Sequence, residues 1–242
     1  MNKFAISLSL LLLGATTIFA QNKEKKYDSY ESDKRELSKF DALDIEVAAD
    51  IIIRQTDTYS FEANGPESVL ERIKTDVKGN TLHITTQSNW KNWNQFEKIK
   101  IYIGVPTLTE IDFSGVGKLE LKGKWTGSSL KINLDGAHNV YMPNIAFDEF
   151  VATFDGTGSL EVSGQAEKAK LTLNGTGNIY ANDLVSQNAR CTVNGVGRLE
   201  CYASNELTAE VSGLGSIYYW GDPKNVRSSI NGLGKVKPQK GD

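Results

Sequence analysis

The chain has 242 residues and a formal net charge of −3, and its 27 lysines and arginines are scattered along its length. A mildly acidic chain without a basic patch is poorly suited to phosphate backbones, which argues against nucleic acid as a partner. The 22 glycines against five prolines, with abundant threonine, valine, isoleucine and asparagine, predict many β-strands joined by tight turns.

Residues 1–20 have the pattern of a secretory signal peptide. Lys3 is followed by an apolar run at residues 5–13, and small residues lead to Ala20 before the polar Gln21. This order predicts export with cleavage after Ala20. A membrane anchor is the alternative, but the run is shorter than the roughly 20 residues that span a bilayer. No later segment reaches that length, so we expect no membrane span in the mature chain and a location in the periplasm, on the outer surface or outside the cell.

Two segments with different patterns follow the signal peptide. Residues 21–39 are charged and almost free of aliphatic side chains, which predicts a flexible leader. Residues 40–110 contain short alternating or apolar runs typical of strands, with a helical turn predicted within Pro66–Ile73. The predicted strands of this N-terminal β-rich part lie at residues 44–47, 50–54, 59–63, 81–85 and 99–103.

Residues 111–238 repeat one motif. In most copies an apolar residue precedes Asn, Asp or Ser, and Gly-x-Gly, a polar residue and an apolar residue follow. The first glycines of the seven copies are spaced by 21, 20, 19, 20, 18 and 19 residues, and such a constant period is typical of a stacked array. The glycines that we assign to structural turns are Gly115, Gly117, Gly136, Gly156, Gly158, Gly175, Gly177, Gly195, Gly197, Gly213, Gly215, Gly232 and Gly234. Residues 239–242 form a short tail.

The repeat predicts an all-β fold, a two-sheet β-solenoid of about seven coils with repeats of about 20 residues. Asn, Asp and Gly tolerate positive φ, so each motif reads as a tight reversal between strands. Stacking is needed because one coil has too few apolar residues to bury its own face. Antiparallel hairpins are the alternative, but they do not require a constant period. The two predicted inward rows are Phe113, Leu134, Phe154, Leu173, Val193, Val211 and Ile230, and Leu119, Val140, Leu160, Ile179, Leu199, Ile217 and Val236.

The residue after each member of the second inward row points outward. Glutamate and tyrosine alternate there, as Glu120, Tyr141, Glu161, Tyr180, Glu200, Tyr218 and Lys237. Alternation avoids stacking like charges on adjacent strands, which is a purely structural explanation. The functional alternative is a ladder of aromatic platforms and carboxylates suited to sugars, with Tyr141, Tyr180 and Tyr218 as candidate ligand-binding residues.

A second aromatic group lies in the polar segment 88–96. Trp90, Trp93 and Phe96 could form a carbohydrate-stacking patch, because flat rings match sugar faces. The alternative is that they cap the open end of the solenoid core.

Few residues are candidates for catalysis or for metal binding. Glu120, Glu161 and Glu200 lie two coils apart, near the upper end of the carboxylate separation in inverting glycosidases. Nothing in the pattern marks them as buried, and the only histidines are His83 and His138, the latter in place of a turn glycine. We therefore predict no catalytic residue, no metal site and no cofactor.

The two cysteines, Cys191 and Cys201, flank the Gly195 turn, and both fall on inward rows. Export would allow a disulfide between them. Facing sheets are ~10 Å apart, however, and a disulfide requires Cα atoms within about 7 Å. A disulfide and two buried thiols both remain open.

Several segments resemble one family, the head GIN domain family of auto-transporter adhesins, which are exported proteins of Bacteroidetes-type bacteria. The resemblance is carried by the signal peptide and by residues 40–45 (FDALDI), 77–84 (VKGNTLHI) and 103–108 (IGVPTL), which lead into the SGVG motif at 114–117. It covers about residues 40–238. It implies a right-handed β-helix in which Gly-x-Gly marks the turns, a role in cell adhesion, and no established catalytic residues.

We therefore expect an exported, non-enzymatic binding or adhesion protein that presents a β-solenoid surface to a glycan or to a surface protein. A structural or self-assembling component of the cell envelope, forming a homo-oligomer, is the alternative. A polysaccharide-active enzyme is a third hypothesis.

Overall fold

A computed structural model of the protein describes residues 29–87 and 99–240. The predicted signal peptide, the first part of the leader, the end of the tail and the candidate residues Trp90, Trp93 and Phe96 lie outside the described residues. Within them the protein is nearly all β, and no helix is long and apolar enough to cross a membrane.

The described part contains 19 strands and one short helix. In chain order they are β1 (Tyr30–Arg35), β2 (Ala42–Glu46), β3 (Asp50–Gln55), β4 (Ser60–Pro66), α1 (Glu67–Leu70), β5 (Ile73–Lys78), β6 (Thr81–Thr86), β7 (Lys100–Val105), β8 (Glu110–Phe113), β9 (Val116–Lys122), β10 (Trp125–Leu134), β11 (Ala137–Phe154), β12 (Thr157–Leu173), β13 (Thr176–Ala181), β14 (Leu184–Val193), β15 (Val196–Tyr202), β16 (Glu206–Val211), β17 (Leu214–Trp220), β18 (Asn225–Ile230) and β19 (Lys235–Pro238).

Successive coils stack through parallel strand pairing, which confirms the predicted β-solenoid. Val140 lies opposite Leu119 of the preceding coil and opposite Leu160 of the following one. Each described pairing that involves β8 to β19 is parallel, which excludes a chain of antiparallel hairpins. The solenoid has about six turns, one fewer than predicted, because seven glycine motifs enclose six complete intervals.

The coils formed by β9 to β14 have three paired segments, not the two that the repeat predicts, whereas the last two coils have two strands each, β15 with β16 and β17 with β18. In the coil that contains β11, the inward residues alternate strictly within each segment but are separated by three positions at two corners. The first corner lies between Met142 and Ile145, where the register with β12 shifts, and the second between Phe147 and Phe150. In a straight strand, residues three positions apart point to opposite faces. Because both residues of each such pair point into the same core, the chain must bend between them.

The motif glycines are required mainly because the coils approach closely. A Cβ atom on Gly156 would lie 2.0 Å from the carbonyl oxygen of Gly136, one coil earlier. A Cβ atom on Gly158 would lie 1.9 Å from the carbonyl oxygen of His138, and Gly158 also has a φ of 123°. Only four of the thirteen predicted turn glycines have positive φ, so the predicted conformational role applies to a minority. The general role is the absence of a side chain where one coil lies on the next.

The N-terminal part is not separate from the solenoid. Strands β2 and β3 pair in parallel with β8 and β9, so they begin the stack. Antiparallel strands then cover this end, with β5 on β6 and β4 on β7. The predicted helical turn is present as α1, which buries Val69 and Leu70 against the end of the core.

Part of the predicted flexible leader is a strand, so that prediction is wrong for residues 30–35. Strand β1 pairs antiparallel with β4 over its full length. Charged side chains of the kind that suggested flexibility form side-chain contacts here. Arg35 donates hydrogen bonds to Asp33 and to Thr75, and its guanidinium lies 5.1 Å from the ring of Phe61.

The core runs along the whole solenoid and opens at the C-terminal end. Both predicted inward rows are buried except in the last coil, where Ile230 is 45% exposed and Val236 is only partly buried. All six residues of β18 are exposed.

Candidate functional site

The strand registers align the members of the predicted outward row, but Glu200 is buried, which the sequence did not predict. Tyr141 lies opposite Glu120 on one side and Glu161 on the other, and Tyr180 lies between Glu161 and Glu200. The complete row, which we call the Glu–Tyr ladder, runs Glu120, Tyr141, Glu161, Tyr180, Glu200, Tyr218 and Lys237. Because adjacent strands are ~4.8 Å apart, the tyrosines recur about every 10 Å.

A second outward row, which we call the polar row, runs beside the ladder, two residues earlier in each strand. Its members are Lys118, Asn139, Ser159, Asn178, Arg198, Ser216 and Lys235. Ser159 donates to the Asn139 side chain at 3.0 Å, and the Asn178 side chain accepts from the backbone amide of Arg198 at 3.2 Å. The tyrosine rings are therefore flanked by amide, hydroxyl and cationic groups.

The three tyrosines of the ladder differ in how open their rings are. Tyr141 is 43% exposed, and Tyr180 is half-buried. Tyr218 is covered by cations, because the guanidinium carbon of Arg198 lies 4.1 Å from its ring centroid and the Lys235 ammonium lies 5.3 Å away. Sequence reasoning treated the three as equivalent platforms, but the cations beside Tyr218 come from the polar row of neighbouring strands.

These cations also act on the Tyr218 hydroxyl. The pKa of Tyr218 is lowered from its ordinary value, first by the hydrogen bond with Lys235 and then by the charges of Lys235, Arg198 and Lys237. This part of the face is therefore locally positive, although the chain as a whole is acidic.

Two further aromatic side chains lie on this face and were not singled out from the sequence. Tyr202 and Trp220 lie directly opposite each other on β15 and β17, two residues beyond Glu200 and Tyr218, and both are half-buried. Extending the period-two alternation by one step along these strands would have identified them.

Two of the three carboxylates of the ladder have cationic neighbours. Glu120 pairs with Lys122 at 2.6 Å, and Glu200, which is 8% exposed, pairs with Arg198. Compensated carboxylates of this kind are typical of structural ion pairs. Across residues 29–87 and 99–240 there is no cluster of three or more His, Cys, Asp or Glu side chains that could hold a metal.

The two histidines lie in different environments. The Nδ1 atom of His83 is 2.7 Å from an Asp44 carboxylate oxygen on the outer surface of β6 and β2. His138 is 1% exposed and lies 4.2 Å from Phe113 between ring centroids, and neither ring nitrogen has a hydrogen-bond partner within the described part of the chain. Burial lowers the pKa of His138, which keeps its ring neutral.

Cys191 and Cys201 meet inside one coil, as their positions on inward rows predict. Both are buried free thiols, and a hydrogen bond joins them. This hydrogen bond, followed by burial, raises the pKa of Cys191 well above its ordinary value. Of the two alternatives that the sequence left open, this arrangement corresponds to the pair of buried thiols.

Strands β10, β14, β16 and β18 contribute to a different outer surface, which carries cross-strand ion pairs. Lys131 pairs with Glu110 at 2.6 Å, and Arg190 pairs with Glu210 at 2.9 Å. No outward aromatic side chain lies on these four strands. This surface therefore supplies control positions for tests of the ladder.

Comparison with known proteins places this architecture among adhesin-type domains. Residues 39–223 match the family described as "Putative auto-transporter adhesin, head GIN domain". The crystal structure of a "putative adhesin" from Bacteroides fragilis is 29% identical, with a TM-score of 0.85 over 87% of this chain and 97% of that chain. No curated protein matches this chain.

Two structures from Parabacteroides distasonis share the fold at lower identity. A "putative lipid binding protein" is 24% identical with a TM-score of 0.69, over 87% of this chain and 96% of that one. A "putative adhesin" is 20% identical with a TM-score of 0.66, over 88% of this chain and 98% of that one. Because the family match spans most of the chain and includes nearly all of the solenoid, the protein belongs to the head GIN domain family of auto-transporter adhesins.

Proposed function

We propose that this protein is an exported, non-enzymatic adhesin that binds an extended glycan along the Glu–Tyr ladder. The observation that carries the proposal is the register of Tyr141 and Tyr180, two strands apart and beside the polar row. Membership of an adhesin family supports the general class, and the export pattern of residues 1–20 supports the location.

The chemistry of the ladder suits a sugar chain. An aromatic ring offers an apolar face to the C–H side of a sugar, and the neighbouring amides, hydroxyls and carboxylates can exchange hydrogen bonds with its hydroxyl groups. Because these groups are fixed on stacked strands, little conformational entropy is lost when a ligand binds.

The ion pairs of the carboxylates support binding over hydrolysis. A general acid in a glycosidase needs a raised pKa, which apolar burial or a like charge would supply. Glu200 has Arg198 beside it, and Glu120 has Lys122, so both carboxylates are engaged in ion pairs.

Native affinity electrophoresis through gels that contain different polysaccharides tests this function, with each polysaccharide also assayed for shortened products. We expect retardation by at least one polysaccharide without products. Shortened polysaccharide formed by the unchanged protein but not by Glu161→Gln would show that the protein is an enzyme. The absence of retardation in all gels would reject glycan binding.

Self-association is a second candidate function, favoured by the open C-terminal coil. Val226, Ile230 and Leu233 are 45%, 45% and 80% exposed, and β18 and β19 each have one edge that no described strand covers. Unpaired strand edges beside exposed apolar side chains readily pair with another chain. In a twofold arrangement each edge would meet its own copy antiparallel, which gives a closed dimer.

Sedimentation equilibrium measures this second function directly. We expect a dimer that Val226→Lys and Ile230→Lys dissociate, because lysine on an edge strand opposes pairing. Val185→Lys, at a position 48% exposed away from the open end, is the matched control. A monomer at all concentrations would leave only the glycan-binding proposal.

A further inference from the structure

A groove lies beside the ladder face, on the other side of β9 from the ladder tyrosines. There β3, β7, β4 and β1 pair side by side, and a groove of about 630 Å³ opens on their outer surface. Small-molecule sites typically have volumes of ~300–1,000 Å³, so the groove has the size of a ligand site.

The floor of the groove exists because residue 104 is a glycine. In the lateral row that crosses the sheet, Gly104 lies between Arg54 of β3 and Ser60 of β4. A Cβ atom on Gly104 would lie 2.3 Å from the Ser60 hydroxyl oxygen and 2.7 Å from that of Thr56. Two hydroxyl groups therefore converge over a floor that any other residue would fill.

One wall of the groove is the next lateral row, in which Tyr102 lies between Ile52 and Glu62. Tyr102 is half-buried and lines the groove. The wall thus presents an aromatic and an aliphatic surface beside the hydroxyl groups of the floor.

The charges around the groove leave Arg54 uncompensated. Arg54 is exposed and lines the groove, and its guanidinium has no ion pair or hydrogen bond within residues 29–87 and 99–240. Glu62 is already engaged, because it accepts from Ser32 at 2.9 Å and from Asn64 at 3.3 Å and lies 3.8 Å from Lys34. The hydrogen bond from Ser32 is the main reason why the pKa of Glu62 is lowered.

The outer wall is anchored to the body of the protein. Strand β1 ends at Arg35, which also lines the groove and whose guanidinium contacts Asp33, Thr75 and the Phe61 ring. Glu36 follows β1 and also lines the groove. A ligand would therefore meet Arg54 at one side, the charged side chains of Lys34, Arg35 and Glu36 at the other, and hydroxyl groups between them.

We propose that this groove is a binding site for a carboxylate-bearing sugar, a unit such as a uronic or sialic acid. The Arg54 guanidinium binds the sugar carboxylate, a partner that matches its planar pair of N–H donors. Ser60, Thr56 and Glu36 exchange hydrogen bonds with the sugar hydroxyls, and the ring of Tyr102 contacts an apolar face of the sugar. A ligand that carries both an anion and hydroxyl donors satisfies all of these groups at once.

Titration of the purified protein with trigalacturonate and with sialyllactose, followed by calorimetry, tests the proposal. Galactotriose and lactose are the uncharged comparison probes. We expect at least one acidic probe to bind about tenfold or more tightly than its neutral counterpart. Arg54→Gln should remove that preference, and Gly104→Ala should weaken binding by filling the floor.

Two control variants separate this site from other surfaces. Lys170→Gln removes an exposed cation on a different surface and should leave the affinity unchanged. Tyr180→Ala removes a ladder ring, so unchanged binding of the acidic probe in this variant shows that the groove acts independently of the ladder. Since Gly104→Ala displaces only two side-chain hydroxyls, its thermal unfolding is expected to match that of the unchanged protein.

Three outcomes would overturn the assignment. These are no binding of either acidic probe at millimolar concentration, equal affinity for acidic and neutral probes, and full acidic binding in Arg54→Gln. If the acidic probe no longer bound to Tyr180→Ala but still bound to Arg54→Gln, its binding site would be the ladder and not the groove.

Discussion

The guanidinium carbon of Arg198 lies 4.1 Å from the ring centroid of Tyr218, on the neighbouring strand of the ladder face. Lys235 approaches the same ring from the next strand, at 5.3 Å. Cations over an aromatic face stabilise the packing but occupy the surface that a sugar would use. We therefore expect Tyr141 and Tyr180, rather than Tyr218, to provide the stacking surface of the ladder.

The cations around Tyr218 predict an early phenol titration. Because the hydrogen bond with Lys235 favours the phenolate, Tyr218 should lose its proton at lower pH than an ordinary tyrosine, whose pKa is about 10. The difference in absorbance near the phenolate band between the unchanged protein and Tyr218→Phe isolates this group. Lys235→Met should raise the titration midpoint, whereas Lys170→Met should not. A midpoint equal to that of the other tyrosines would contradict the arrangement.

The close contact between coils predicts a large cost for a single methyl group. Gly156→Ala would place Cβ against the carbonyl oxygen of Gly136, and overpacking of this kind costs ~1–3 kcal/mol of unfolding free energy. Gly79→Asn is the control, because Gly79 has a φ of 63° and open space around it, and asparagine tolerates this conformation. Denaturant unfolding of both variants compares the two sites. If Gly156→Ala were as stable as Gly79→Asn, the close contact between coils would not be the reason for a glycine at position 156.

The sequence predicted the stacking of the solenoid but not its cross-section. The period of the glycine motif determines which strands pair, so the repeat alone is enough to match Val140 with Leu160. The corners at Met142–Ile145 and Phe147–Phe150 lack such a marker, since each is only a single-residue slip in the alternation. Strand β1 was missed because its charged residues are stabilised by partners about 30 residues away.

The sites divide in the same way. The ladder follows from period-two alternation within each repeat, and the registers agree with it. The groove could not be predicted, because Arg54, Ser60 and Gly104 become neighbours only through two different strand pairings. The cations over Tyr218 were missed for a related reason, as they come from a diagonal position on adjacent strands.

Buried His138 predicts a loss of stability in acid. Its folded-state pKa is lowered by burial, and the opposing effect of Asp135 is smaller. Below the unfolded pKa of about 6.5, the unfolded chain binds a proton that the folded chain does not, so the free energy of unfolding falls as the pH falls toward the folded pKa. One such proton contributes a slope of at most ~1.4 kcal/mol per pH unit.

Denaturant unfolding from about pH 7 to about pH 5 measures that slope. His138→Gly restores the Gly-x-Gly motif found at Gly117 and Gly158 and should give a flatter pH profile. The only other histidine, His83, is present in both proteins, so the comparison isolates position 138. Parallel profiles for the two proteins would contradict a neutral, buried His138.

The buried thiols predict resistance to alkylation. Cys191 and Cys201 are inaccessible and the pKa of Cys191 is raised, so neither should react with a maleimide in the folded protein at neutral pH. Both should react after unfolding in denaturant. Thr126→Cys, at an exposed position, controls for the activity of the reagent. Rapid labelling of the folded protein would contradict the burial, and the absence of reactive thiols after unfolding would show a disulfide instead.

The double variant Tyr141→Ala/Tyr180→Ala tests the glycan-binding ladder most directly. Its migration is compared with that of the unchanged protein in native gels containing the polysaccharide that retards the latter, and Val185→Ala serves as the control at a position 48% exposed away from the ladder. Base stacking on protein aromatics contributes ~1–3 kcal/mol per ring, and a similar contribution from two sugar contacts implies at least about a tenfold loss of affinity. We predict that retardation disappears in the double variant and persists in Val185→Ala. Unchanged retardation in the double variant would contradict the ladder as the glycan-binding surface.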